Sequence, residues 1–105
     1  MKINFNQPLL ALDGSVLLLD GDARLTLARV CSVSLLNDDT GDGNAKDKRF
    51  QWALRLHKGG EQDLSTEDVA WLKEIVGRVV HSTLHAGQAR LMLEGQIDQL
   101  PSAKP

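Results

Sequence analysis

Three groups of residues in this 105-residue chain have types and spacings that chemistry could use. Asp38, Thr40, Asp42 and Gly43 stand at positions 1, 3, 5 and 6 of a helix–loop–helix calcium loop. Such a loop needs oxygen ligands at those spacings and a bidentate Glu at position 12. Position 12 is Arg49, a cation where the dominant carboxylate belongs. The motif fails at its most diagnostic place, so the stretch reads as a solvated linker whose Asp and Gly residues interrupt helix. His81 and His85 are spaced i,i+4, which on a continuous helix sets two imidazoles on one face as zinc ligands. A zinc protease would need Glu at position 82 as general base, and Ser82 stands there. A third ligand from His57 or Cys31 is not brought near by any pattern in the chain. Cys31 itself lies on an apolar helix face, which suits a small buried hydrophobe better than a nucleophile. No phosphate-cradling glycine loop and no Gly-x-Ser-x-Gly elbow is present. The residues thus name no catalytic group and no cofactor, and leave His81 and His85 as an incomplete metal pair.

The remaining candidates are surface residues. Trp52 and Trp71 each sit at the edge of a helical apolar stripe, with Arg55 beside Trp52. Packing against the core is the plain reading of both rings. The functional reading is a protein contact surface, since Trp and Arg are enriched in interface cores. Lys46, Lys48, Arg49, Arg55 and Lys58 make the helix over 46–58 basic, the footprint a nucleic-acid binder would need. Asp38, Asp39, Asp42 and Asp47 stand next to them and weaken that reading.

These residues must be positioned by helices, and the clearest helical signal runs from Leu64 to Gly95. Ser65 is an N-cap whose hydroxyl accepts from the Asp68 N–H, and Glu67 and Asp68 oppose the positive end of the dipole. Leu64 and Val69 occupy the two positions of a hydrophobic staple. Val69, Leu72, Ile75, Val76, Val79 and Val80 form one stripe, and Glu74 with Arg78 is a favourable i,i+4 pair. The pattern falters at His81-Ser82-Thr83. Ser82 or Thr83 there can cap a second helix carrying Leu84, Gln88, Leu91 and Met92, ended by Gly95. A single bent helix over 66–94 is the alternative, and it decides whether the two histidines share a face.

Upstream, Lys2 to Asn6 alternates polar and apolar as a short half-exposed strand does. Leu9–Leu12, Asp13-Gly14 and Ser15–Leu19 predict a hairpin with a type I′ turn. Thr26 caps a helix over 27–36 with Leu27, Val30, Cys31, Ser34 and Leu35 on one face, and Val33 and Leu36 beside it. Residues 37–47 read as a loop. The helix over 46–58 has Phe50, Ala53, Leu54 and His57 as its stripe, and Trp52 and Leu56 fall off it. No internal repeats are evident. The fold class is therefore α+β: an N-terminal β-hairpin, with room for three short strands, packed on three to four α-helices. Residues 1–95 form a single globular domain and 96–105, with two prolines and small polar residues, a disordered tail.

Composition agrees with an ordinary globular domain, at 42% apolar and 25% charged residues. A net charge of −2 argues against a dedicated binder of nucleic acid or anionic membrane. The apolar runs fall far short of the ~20 residues that cross a bilayer. One cysteine cannot form an internal disulfide, so the expected compartment is a reducing cytoplasm.

Two places carry a family likeness. One is Pro8-Leu9-Leu10 with Asp13-Gly14, Thr26-Leu27 and Leu35-Leu36. The other is Leu64 to Val69 with Leu72-Lys73, Gly77, Gly87-Gln88-Ala89 and Leu93-Glu94. Together, over most of residues 2–95, they resemble small uncharacterised proteins encoded by tailed phages and prophages of Gram-negative bacteria. The resemblance implies a host-cell cytoplasmic or virion-associated setting and carries over no catalytic residues. The expected function is non-enzymatic: a phage accessory protein acting through a protein partner, with head or tail assembly as its setting. The alternatives are a phage regulator that contacts nucleic acid through the helix over 46–58, and a metal-dependent enzyme built on His81 and His85.

Overall fold

The structure, a computed structural model, describes residues 1–18 and 23–101. It is an α+β globule with β1 (Lys2–Asn4), α1 (Leu27–Asn37), α2 (Gly43–His57), β2 (Glu61–Asp63), α3 (Thr66–Val79) and α4 (Thr83–Glu94). A short 3₁₀ turn at Ile97–Gln99 follows. Helix α1 lies at the centre and touches each of the other three helices.

The two strands pair antiparallel with Lys2 opposite Asp63, Ile3 opposite Gln62 and Asn4 opposite Glu61. The pairing is extended at one end by Leu64 N–H donating to the Met1 carbonyl at 2.8 Å, and at the other by Phe5 N–H donating to the Gly60 carbonyl at 2.9 Å. Ile3 on β1 and Phe5 just after it are buried, so the alternation marks a half-buried strand, but over Lys2–Asn4 and not to Asn6, because the chain turns at Phe5-Asn6. Its partner comes from the far side of α2.

The Leu9–Leu19 segment folds back at Asp13-Gly14, but with different chemistry from a type I′ turn. Gly14 has φ +89° while Asp13 keeps a negative φ. Gly14 N–H donates to Ala11 C=O at 2.9 Å and Ala11 N–H to Ser15 C=O at 2.8 Å, a three-residue loop closed by a left-handed glycine. The Asp13 carboxylate accepts from both the N–H and the hydroxyl of Ser15, which locks the turn. The ladder beyond it is reduced to one bridge, Leu10 to Val16, because a third segment intervenes. Leu9 N–H donates to Leu25 C=O (2.8 Å), Leu25 N–H to Leu17 C=O (2.9 Å) and Leu17 N–H to Leu9 C=O (3.1 Å). Three segments spaced by eight residues thus close a triangle of backbone bonds. Leu9, Leu17 and Leu25 each donate one of these bonds and accept another. Leu19 itself lies outside the described residues.

The helix starts follow their caps. Thr26, Asp42, Ser65 and Ser82 each accept at the side chain from an N–H three residues on. Asp42 begins α2 at Gly43, so residues 43–47, expected in a loop, are helical. Leu64 and Val69 are both buried, as the staple requires. The chain breaks between α3 and α4 and does not run through as one bent helix. Gly95 ends α4 at φ +78°, with its N–H on Met92 C=O and the Gln96 N–H on Leu91 C=O, a Schellman pair.

The core gathers Ile3, Phe5, Leu9, Leu27, Cys31, Leu35, Leu56, Leu64, Leu72, Val76 and Leu93, all but fully buried. On α1 the expected face is the buried one, while Leu36 stands out at 59% exposed. Lys73 and Glu94 form an ion pair that ties α3 to the end of α4. Beyond α4, Leu100 packs against the core. Residues 102–105 of the expected tail lie outside the described residues.

Candidate functional site

Helix α2 is rotated relative to the sequence stripe, and this rotation creates the site. Its buried residues are Arg49, Ala53 and Leu56. Phe50 and Leu54, expected in the core, are 55% and 54% exposed. The cause is Arg49. Its guanidinium lies 3.7 Å from the Asp38 carboxylate and donates to Thr40 C=O, which turns the side chain inward beneath the α1–α2 connection. At about 100° per residue, burying 49, 53 and 56 swings 50 and 54 out. Phe50 and Leu54 flank a groove between α1 and α2, with Val33, Leu36 and Ala53 in its wall and Arg29 and His57 at one end. Three large apolar side chains, Leu36, Phe50 and Leu54, thus gather on one face.

The loop that resembled a calcium site has the same explanation. Arg49, at the twelfth position, reaches back to the residues at the first and third, so the chain supplies its own cation. Asp38 is also bonded by Arg78 from α3 at 2.6 Å, and accepts from the N–H and hydroxyl of Thr40. Burial opposes its ionised form. The Arg78 guanidinium and the two Thr40 bonds outweigh that and hold the carboxyl below its usual value of 3.8. Asp38 and Arg49 thus form a buried ion pair that Arg78 ties to α3, while Asn37 and residues 39–42 of the connection are exposed, as a solvated linker requires.

Trp52 and Trp71 meet edge to face at 5.8 Å between ring centroids. Both are half-buried and packed on the core. Lys48 lies over the Trp71 ring at 4.3 Å and Arg55 over Trp52 at 4.6 Å. Arg55 also donates to the Gln62 side chain and to Asp63 C=O, pinning the end of α2 to β2. The three residues singled out as a contact surface therefore form one cluster, and its cations are already engaged. Of the five cations of the basic helix, Lys48, Arg49 and Arg55 are committed within the chain.

His81 and His85 do not share a helical face. Helix α3 ends at Val79, His81 lies in the connection, and His85 is the third residue of α4 with its N–H on the Ser82 cap. His85 borders a cleft with Leu25, Val30 and Val80, whereas His81 borders another with Asp38, Thr40 and Arg78. Among the described residues no three His, Cys, Asp or Glu side chains are grouped to hold a metal ion. Cys31 is fully buried, and burial pushes its thiol up to about 12. Such a thiol is neutral and shielded at physiological pH.

Among the described residues no helix is long and apolar enough to cross a membrane. The chain matches no protein-family model, no curated protein and no solved structure.

The apolar α1/α2 face was missed in the sequence because its residues looked like core. Arg49 is held by Asp38 and by the Thr40 carbonyl, partners eleven and nine residues before it, so no local pattern marks it as buried.

Proposed function

We propose that this chain is a non-enzymatic binding protein whose partner is a protein docked on the α1/α2 face, and that it serves as a phage or prophage accessory component. The single observation that carries the binding reading is the exposure of Leu36, Phe50 and Leu54 together. Scattered surface leucines are normal, but a contiguous apolar face rimmed by polar groups marks an interaction site. Phe50 is an aromatic anchor of the kind that dominates interface energetics. The phage setting, including head or tail assembly, rests on the sequence resemblance. The nucleic-acid reading is weaker because Lys48, Arg49 and Arg55 of the basic helix are committed, and among the described residues only Lys46 and Lys58 are not. The enzyme reading is weaker because the two histidines sit on either side of a helix break.

The test is a photo-crosslinking residue placed at Phe50 or Leu54 in the chain produced in a bacterial cell, with Glu67 on the exposed start of α3 as control. A discrete protein adduct at 50 and 54 but not at 67 is expected. Absence of any adduct at both positions overturns the reading.

A further inference from the structure

We infer that the occupant of the α1/α2 face is a second copy of this chain, with α2 packed antiparallel on its counterpart across a two-fold axis. The inference rests on the reading of that face as a protein-binding surface. The outward stripe of α2 reads Asp47, Phe50, Leu54, Lys58, spaced 3–4–4, so all four lie on one side of the helix and its C-cap. The apolar pair is in the middle, with a carboxylate one turn before and an ammonium one turn after. Asp47 and Lys58 are both exposed, and neither side chain makes an ion pair or hydrogen bond among the described residues.

This stripe is complementary to itself when reversed. An isologous contact places residue i against j and j against i. Asp47 and Lys58 are equally far from the midpoint between Trp52 and Ala53, and Phe50 and Leu54 centre within a residue of it. Antiparallel packing about that point sets Phe50 against Leu54 of the other copy and Asp47 against its Lys58, each contact made twice. Leu36 of α1 closes the apolar centre from the side. A parallel arrangement would set carboxylate against carboxylate and ammonium against ammonium. Opposite charges at the two ends of an apolar centre thus specify direction as well as attraction.

The experiment is sedimentation equilibrium of the full chain from about 1 µM to about 1 mM. The mass is expected to rise with concentration toward twice the 11.5 kDa of one chain. Asp47→Lys alone, or Lys58→Asp alone, sets like charges opposite each other at two places and weakens the dimer by about tenfold. The double variant Asp47→Lys with Lys58→Asp restores it. Both positions are exposed, so circular dichroism should match the wild type in all variants. A wild-type chain that stays monomeric throughout, or a dimer whose dissociation constant ignores the single swaps, overturns the inference. The crosslink at Leu54 separates the two readings. An adduct with the mass of two chains supports both; one of another mass leaves the docking face standing and removes self-association; no adduct removes both.

Discussion

Gln88 and Leu10 are joined by two reciprocal hydrogen bonds. The Leu10 N–H donates to Gln88 Oε1 at 2.9 Å, and Gln88 Nε2 donates back to the Leu10 carbonyl. Residue 88 is nearly fully buried on α4, so its amide acts as a neighbouring strand on the side of Leu10 that the bridge to Val16 leaves open. Gln88→Leu leaves a buried donor and a buried acceptor unpaired. The expected cost is about 2 to 4 kcal/mol, read from urea unfolding as a shifted midpoint at unchanged slope. A shift under half a kcal/mol would show that water reaches Leu10.

Asp38→Ala should destabilise the chain by about 3 kcal/mol, because it leaves the buried Arg49 without its counter-charge. The low end of the range applies since Arg78 is 42% exposed and water screens its share. The wild-type carboxyl has a lowered pKa in the folded chain. Its contribution is therefore fully present above the unfolded value near 3.8 and is lost as pH falls through the lower folded value. Thermal unfolding across the acid range should show that loss in the wild type, and Asp38→Ala should lack it.

Cys31 should react with an aromatic disulfide reagent only when the chain opens. At pH 8 the labelling rate is expected to rise with urea along with the unfolded population. Fast, denaturant-independent labelling of the native chain would contradict the buried, neutral thiol.

Truncation should separate the two faces of α2. Leu56→Ala is expected to cost about 2 to 5 kcal/mol, since the side chain is fully buried. Leu54→Ala, two residues away, should stay within about 0.5 kcal/mol at dilutions where the chain is monomeric. A larger cost at Leu54 than at Leu56 would mean that the helix sits in the register its sequence stripe suggests.

Much of the helical fold was legible because capping is local. Ser65 with Asp68, Thr26 before Leu27, Ser82 in the faltering segment and Gly95 after Glu94 each act within a few residues, and each does in the structure what its type implies. What stayed hidden depends on distant partners. Nothing near Arg49 shows that it will be drawn inside by Asp38, so the stripe that composition suggests on α2 lies one face away from the buried one. Nothing in Leu9, Leu17 and Leu25 marks a triangle, because the bonds belong to the backbone. The candidate face was hidden for the same reason: Phe50 and Leu54 have the composition of core, and only the rotation of their helix places them outside.

The pairing of β1 with β2 has a consequence for how the chain is made. Lys2–Asn4 leaves the ribosome long before Glu61–Asp63 exists, so its partner must arrive after α1 and α2 have been synthesised. Closing a loop of that length gives up chain entropy early and gains contacts late. In the interval Ile3 and Phe5 have no strand to lie beside. Translation speed through the α1–α2 segment, and any holdase that shelters the emerging end, should therefore govern the yield of folded chain more than its final stability does.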